Sequence, residues 1–186
     1  SITIGAYILT STSYSDGMVI KYDTDGKVKW ATSVGGDNVD EINSVVSTND
    51  GGIMVGGVFN SSNIEIGEYK LENTSMDNGT GDAMLIKYNS TGEVDWAKSF
   101  GRDAQDYIST IKKTSRGTYI IAAYSSGMSA HTIILNVENQ NVSVYGDGGP
   151  VLMEYTENGT LNWDKTISSY WTDTYSIDSV EVTNDG

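Results

Sequence analysis

Two kinds of residue in this chain have the types and spacing for a metal or catalytic centre. The first is the acids. Asp23-Thr-Asp-Gly26 sets two carboxylates two positions apart, as a calcium loop begins, but the next ligand position holds Lys27. The sister segments Asn89-Ser-Thr-Gly92 and Thr156-Glu-Asn-Gly159 lack the acid pair. Asp23 and Asp25 are therefore weak calcium candidates, and a hairpin turn explains the segment better. Asp40, Asp106 and Asp173 each stand ten residues after a Trp and could form a carboxylate ring facing a metal or partner. An acid recurring once per repeat is better explained by capping its own loop, accepting backbone N–H groups. The second kind is the nucleophile set. His131 lies near Ser125, Ser126 and Ser129, but no Gly-x-Ser-x-Gly elbow is present, so a Ser/His/Asp triad is not indicated. No acid pair is singled out for glycoside hydrolysis. The expectation is a protein that is not an enzyme, with no catalytic residue, no cofactor and no metal site beyond the weak calcium pair.

A binding surface has better material. Tyr69, Tyr145, Tyr170 and Trp171 lie in or near the segments that vary between copies of the repeat, close to polar residues such as Glu65, Glu68 and Glu72. Aromatic rings beside amides and hydroxyls suit protein or glycan surfaces. The competing explanation is that they cover sheet edges. Sequons at Asn60, Asn73, Asn78 and Asn158 are expected by chance in a chain this rich in Asn, Ser and Thr.

The elements that must position these residues are written three times. Tyr-x3-Gly-x3-Trp occurs at Tyr22, Gly26, Trp30, at Tyr88, Gly92, Trp96, and at Tyr155, Gly159, Trp163. Around it, short alternating runs separated by Gly-containing turns predict hairpins, and no stretch carries helical periodicity. Each unit is expected to hold four antiparallel strands, the first being 18–22, 28–34, 42–48 and 53–59. The whole chain, 1–186, reads as one repeat domain. Residues 1–15 would end a preceding unit with its last strand, since Ile2-Thr-Ile4-Gly5 resembles Ile53-Met-Val55-Gly56. Repeat 1 spans 16–59, an insertion hairpin 60–81, repeat 2 82–126, a second insertion hairpin 127–146, and repeat 3 147–186 without its last strand. The two ends could then pair with each other across a closure.

Charge narrows the partners. A net charge of −14 repels nucleic acid and anionic lipid, and no apolar run approaches the ~20 residues of a membrane helix. The absence of cysteine excludes disulfides and thiolate metal sites.

Asp82-Ala-x-Leu-Ile-x-Tyr88, the Gly92 turn, Trp96, Asp106 and a following Gly turn with an apolar strand resemble the bacterial β-propeller repeats of the SBBP type, which occur in secreted and surface proteins. Tyr-x3-Gly-x3-Trp is also similar to the tryptophan-docking blades of quinoprotein-like propellers, although the vicinal cysteines of many such enzymes are missing. The resemblance implies an all-β, β-propeller-type repeat of four-stranded antiparallel blades. Three repeats are too few for a ring of about four to eight blades, so they would belong to a larger propeller or be closed by dimerisation. It implies an extracellular or cell-surface location and binding of protein or glycan, or surface assembly, with further blades of the same chain or a second copy as partners. The alternative is a propeller enzyme acting on carbohydrate, or a quinoprotein-like oxidoreductase.

Overall fold

Short runs of Val, Ile, Tyr and Thr between glycine turns form antiparallel strands, and no helix occurs among the described residues. The structure, a computed structural model, describes residues 1–13, 15–75, 79–101, 105–126, 133–137, 140–144, 148–167 and 176–183. Tyr145, Tyr170, Trp171, Asp173 and His131, singled out above, lie outside them.

Strand β1 (Ile2–Ile4) pairs with β2 (Tyr7–Leu9), and β3 (Gly17–Tyr22) with β4 (Val28–Val34). Strands β5 (Asp40–Ser47) and β6 (Ile53–Phe59) follow, then a small hairpin of β7 (Asn63–Ile66) and β8 (Tyr69–Glu72), then β9 (Asp82–Tyr88) and β10 (Val94–Phe100). The hairpin stands aside, so β6 pairs with β9 and the sheet order is β5-β6-β9-β10. The plan repeats in β11 (Asp106–Lys113), β12 (Tyr119–Ser126), the hairpin β13 (Ile133–Val137) and β14 (Gln140–Val144), β15 (Gly148–Tyr155) and β16 (Leu161–Thr166), giving the order β11-β12-β15-β16.

These sheets are offset by half a unit from the repeat as the sequence suggests it. The four strands of 16–59 do not form one sheet: β3 and β4 pair only with each other, whereas β5 and β6 join β9 and β10. The reason lies in the connection. Residues 35–39 do not turn β4 back on itself but carry the chain to the next sheet. The Asp40 amide then bonds to the Ser15 carbonyl at 2.9 Å, and the Asp106 amide bonds to Gly81 in the same way at 2.8 Å.

The start of the chain also differs from expectation. Ile2–Ile4 is one arm of a hairpin rather than the last strand of a sheet, and it matches β7–β8: Ile2-x-Ile4-Gly5-x-Tyr7-x-Leu9 against Ile64-x-Ile66-Gly67-x-Tyr69-x-Leu71. Gly5 and Gly67 both have φ of 61°. The Ile-x-Val-Gly likeness to β6 is misleading because alternation with a glycine is common to any strand leaving a turn.

Strand β9 sits at the centre and every residue in it is buried. Successive side chains point to opposite faces. Met84, Ile86 and Tyr88 pack with Val19, Trp30, Val55 and Phe59, while Ala83 and Leu85 pack with Ile108, Ile121 and Met153. A sheet covered on both sides needs apolar residues at consecutive positions, which accounts for the run Ala83–Ile86. Residues 176–183 carry no strand assignment but lie along β11, where Ser109 Oγ donates to the Ile177 carbonyl and Lys112 pairs with Glu181 at 3.5 Å.

Candidate functional site

The repeated Tyr, Gly and Trp meet across successive sheets rather than within one copy. Trp30 donates from Nε1 to the Ser90 carbonyl at 3.2 Å, and Trp96 donates to the Glu157 carbonyl at 3.0 Å. Each acceptor lies two residues before the glycine of the next copy, and the indole covers that glycine. A Cβ on Gly92 would stand 2.7 Å from the Trp30 ring, and one on Gly159 3.1 Å from the Trp96 ring. The Trp30 ring also lies 5.7 Å from that of Tyr88. Burying an indole is worth about 4–6 kcal/mol by area, before entropy is subtracted. The motif is thus a joint between neighbouring sheets.

Asp23, Asp40 and Asp82 are held by hydrogen bonds from loop residues. Asp40 is buried and accepts hydrogen bonds from the Gly36 amide at 2.8 Å, the Ser61 amide at 3.1 Å and Ser61 Oγ at 2.6 Å. Asp106 is likewise buried at the start of its strand. Asp23 Oδ1 accepts the amides of Asp25 and Lys27 at 2.9 and 2.8 Å, the pattern of an Asx turn, and no cluster of three metal-ligating side chains occurs among the described residues. Asp82, at the start of β9, accepts from Thr74 N and Oγ1 and from Ser75 Oγ, and burial raises its pKa against those bonds.

Lys87, fully buried, was not singled out by its sequence. Its ammonium binds Asp50 Oδ2 at 2.7 Å and Asp95 Oδ2 at 3.0 Å. Burial pushes its pKa down, but the hydrogen bonds to Asp50 and Asp95 outweigh burial and hold it above the usual lysine value. The equivalent position in the next sheet carries the opposite charge. Glu154 accepts from Thr118 Oγ1 at 2.6 Å, Arg116 Nη2 at 3.2 Å and Asn162 Nδ2 at 3.3 Å, and the Thr118 bond, with Arg116 and Asn162, lowers its pKa. The charge is inverted together with its surroundings, which marks both clusters as sheet-specific struts.

Of the binding aromatics, only Tyr69 is described. Its hydroxyl donates to the Asp95 carbonyl at 2.6 Å and so pins the β7–β8 hairpin to β10; Tyr7 does the same to Lys29 at 2.6 Å. Tyr69 as a whole remains 36% exposed.

A polar cleft opens where β7–β8 leaves the sheet. It has a volume of about 340 Å³ and is lined by Asp37, Asn38, Asn60, Ser62, Asn73 and Thr80 among others. Asp37 accepts from the Ser62 amide and Oγ, both at 2.9 Å, and these bonds lower its pKa. Asn73 Nδ2 donates to the Thr80 carbonyl at 3.1 Å, whereas the buried Asn60 Oδ1 makes no hydrogen bond. A wall of carboxylate, amide and hydroxyl groups can bind a ligand rich in hydroxyls. Neither a known protein family nor a curated protein sequence matches this chain.

Sequence reasoning missed this cleft, because its residues come from separate segments, 37–38, 60–62, 73–75 and 79–80. Two of those segments flank the β7–β8 hairpin, so the long connection at 60–81 was the available signal.

Proposed function

We propose that the chain is a segment of a β-propeller, secreted or at a cell surface, that is not an enzyme and serves protein or glycan binding or surface assembly. The observation that carries the architecture is the joint made twice over, Trp30 on Gly92 and Trp96 on Gly159, which sets each sheet against the next in one repeating relation. The likeness to secreted SBBP-type repeats supports the location. The polar cleft beside β7–β8 favours a glycan among the possible ligands, since sugar hydroxyls match its acid, amide and hydroxyl lining. A glycan array followed by calorimetric titration tests this. The expected result is binding that falls at least tenfold, or about 1.4 kcal/mol, in Asp37→Ala or Asn73→Ala, measured well below the melting temperature of each variant. Absence of any glycan binding, or binding indifferent to both substitutions, overturns the assignment of the cleft.

A further inference from the structure

Each internal joint has a donor and an acceptor. The donor is a Trp in the last strand of one sheet; the acceptor is the carbonyl two residues before the next copy's Gly and the Gly itself, with the copy's Tyr beside the indole in the Trp30 joint. The chain contains one further donor and one further acceptor. Trp163 is 37% exposed, against 5% for the docked Trp30. Tyr22 is 53% exposed, against 1% for Tyr88 and 0% for Tyr155. A Cβ on Gly26 would meet nothing within 4 Å, where the same atom on Gly92 or Gly159 would strike an indole.

We propose that Trp163 of one copy docks on the Tyr22–Gly26 turn of a second copy, with its Nε1 donating to the Thr24 carbonyl. This deepens the assembly part of the reading above by naming the partner and the contact. Charge favours the match. In the Trp96 joint, the residue two after the docking Trp lies over the acceptor turn: Lys98 Cε is 3.1 Å from the Cβ position of Gly159. The equivalent residue after Trp163 is Lys165, and the acceptor turn carries Asp23 and Asp25. The contact uses different surfaces on the two copies, so it is heterologous and builds chains or rings. Among the described residues no strand equivalent to β6 stands beside β3, so the joint is narrower than the internal ones and association is weak, on the order of micromolar or weaker.

Sedimentation velocity of the 186-residue chain from about 1 to 300 µM, a range spanning that affinity, tests the joint. The expected result is a mass that rises with concentration above the 20.1 kDa of one copy. Trp163→Ala should abolish the rise, and so should Gly26→Asn, because Asn tolerates a φ of +77° while its Cβ blocks the indole. An equimolar mixture of the two variants retains one intact donor and one intact acceptor and should form dimers. Should either variant fail to fold, Lys165→Glu should weaken association at least tenfold and Asp25→Lys in the same chain should restore it. A wild-type chain that stays at 20.1 kDa throughout overturns the proposal and leaves the Trp163 surface to a further repeat unit. Association unchanged in the variants, or a mixture that stays monomeric, overturns it too. Glycan binding is read separately, so failure of the joint and failure of the cleft are distinguishable.

Discussion

The indole of Trp30 lies against Gly92, 62 residues further along the chain, and a Cβ there would stand 2.7 Å from the ring. Gly92 thus answers two demands: a backbone at φ +92° and the close approach of an aromatic ring.

The two demands separate by comparing equivalent glycines. Gly26 has φ +77° but no indole above it. Gly26→Ala should cost about 1 kcal/mol, the strain of a left-handed alanine. Gly92→Ala should cost roughly 2–4 kcal/mol, since a rigid ring must also move. Urea denaturation of both variants measures the difference; equal costs would mean that Trp30 is not seated on Gly92.

Lys87 predicts an unequal response to removing either side of its ion pairs. Asp50 and Asp95 are 44% and 40% exposed and can be solvated alone, so Lys87→Met should change stability little at neutral pH. The double variant Asp50→Asn with Asp95→Asn strands a buried ammonium and should cost about 3–5 kcal/mol. Thermal melts distinguish the two.

The same cluster sets a pH dependence. Burial raises the Asp50 pKa, but the Lys87 bond, with those of Thr48 and Gly52, leaves it well below the usual carboxylate range. The stability Asp50 contributes is therefore complete above its unfolded value, about pH 4, and lost as pH falls toward the lower folded value. Lys87 has a raised pKa, so its contribution is complete below about pH 10 and lost as pH climbs through the higher folded value. Melting temperatures across the acid range should fall more steeply in the wild type than in Lys87→Met.

Tyr69 separates a structural hydroxyl from a binding ring. Tyr69→Phe keeps the ring and loses the bond to Asp95, so the β7–β8 amides should exchange faster, by about 0.5–1.5 kcal/mol of local stability, with ligand capture unchanged. Hydrogen exchange on both proteins checks this. Unchanged exchange in Tyr69→Phe, with capture lost in Tyr69→Ala, would instead place the ring on a ligand.

Glu157 ties two turns together. Its carboxylate accepts from the Asn49 and Asp50 amides, both at 3.1 Å, and from the Tyr119 hydroxyl at 3.3 Å. Glu157→Ala should destabilise by about 1–3 kcal/mol because four donors, the Asn49 side-chain amide among them, lose this acceptor. A denaturant midpoint unchanged from wild type would show that water replaces it.

Much of this protein was legible in its residues. Alternation set the strands, and glycines at Gly26, Gly92, Gly117 and Gly159, all at positive φ, set the turns. The Tyr-Gly-Trp spacing set the repeat. These are local properties: the two faces of a strand and the freedom of a glycine depend on neighbours in the chain. The tertiary structure decided which strands share a sheet, because the crossing at 35–39 leads away from β4 and the hairpin β7–β8 stands aside to let β6 meet β9. It also revealed that Ile2–Leu9 repeats Ile64–Leu71, that Lys87 and Glu154 are inverted struts, and that Asp37, Asn60 and Asn73 share one cleft. Contacts between residues tens of positions apart depend on the path of the chain through space, and no local pattern carries that path.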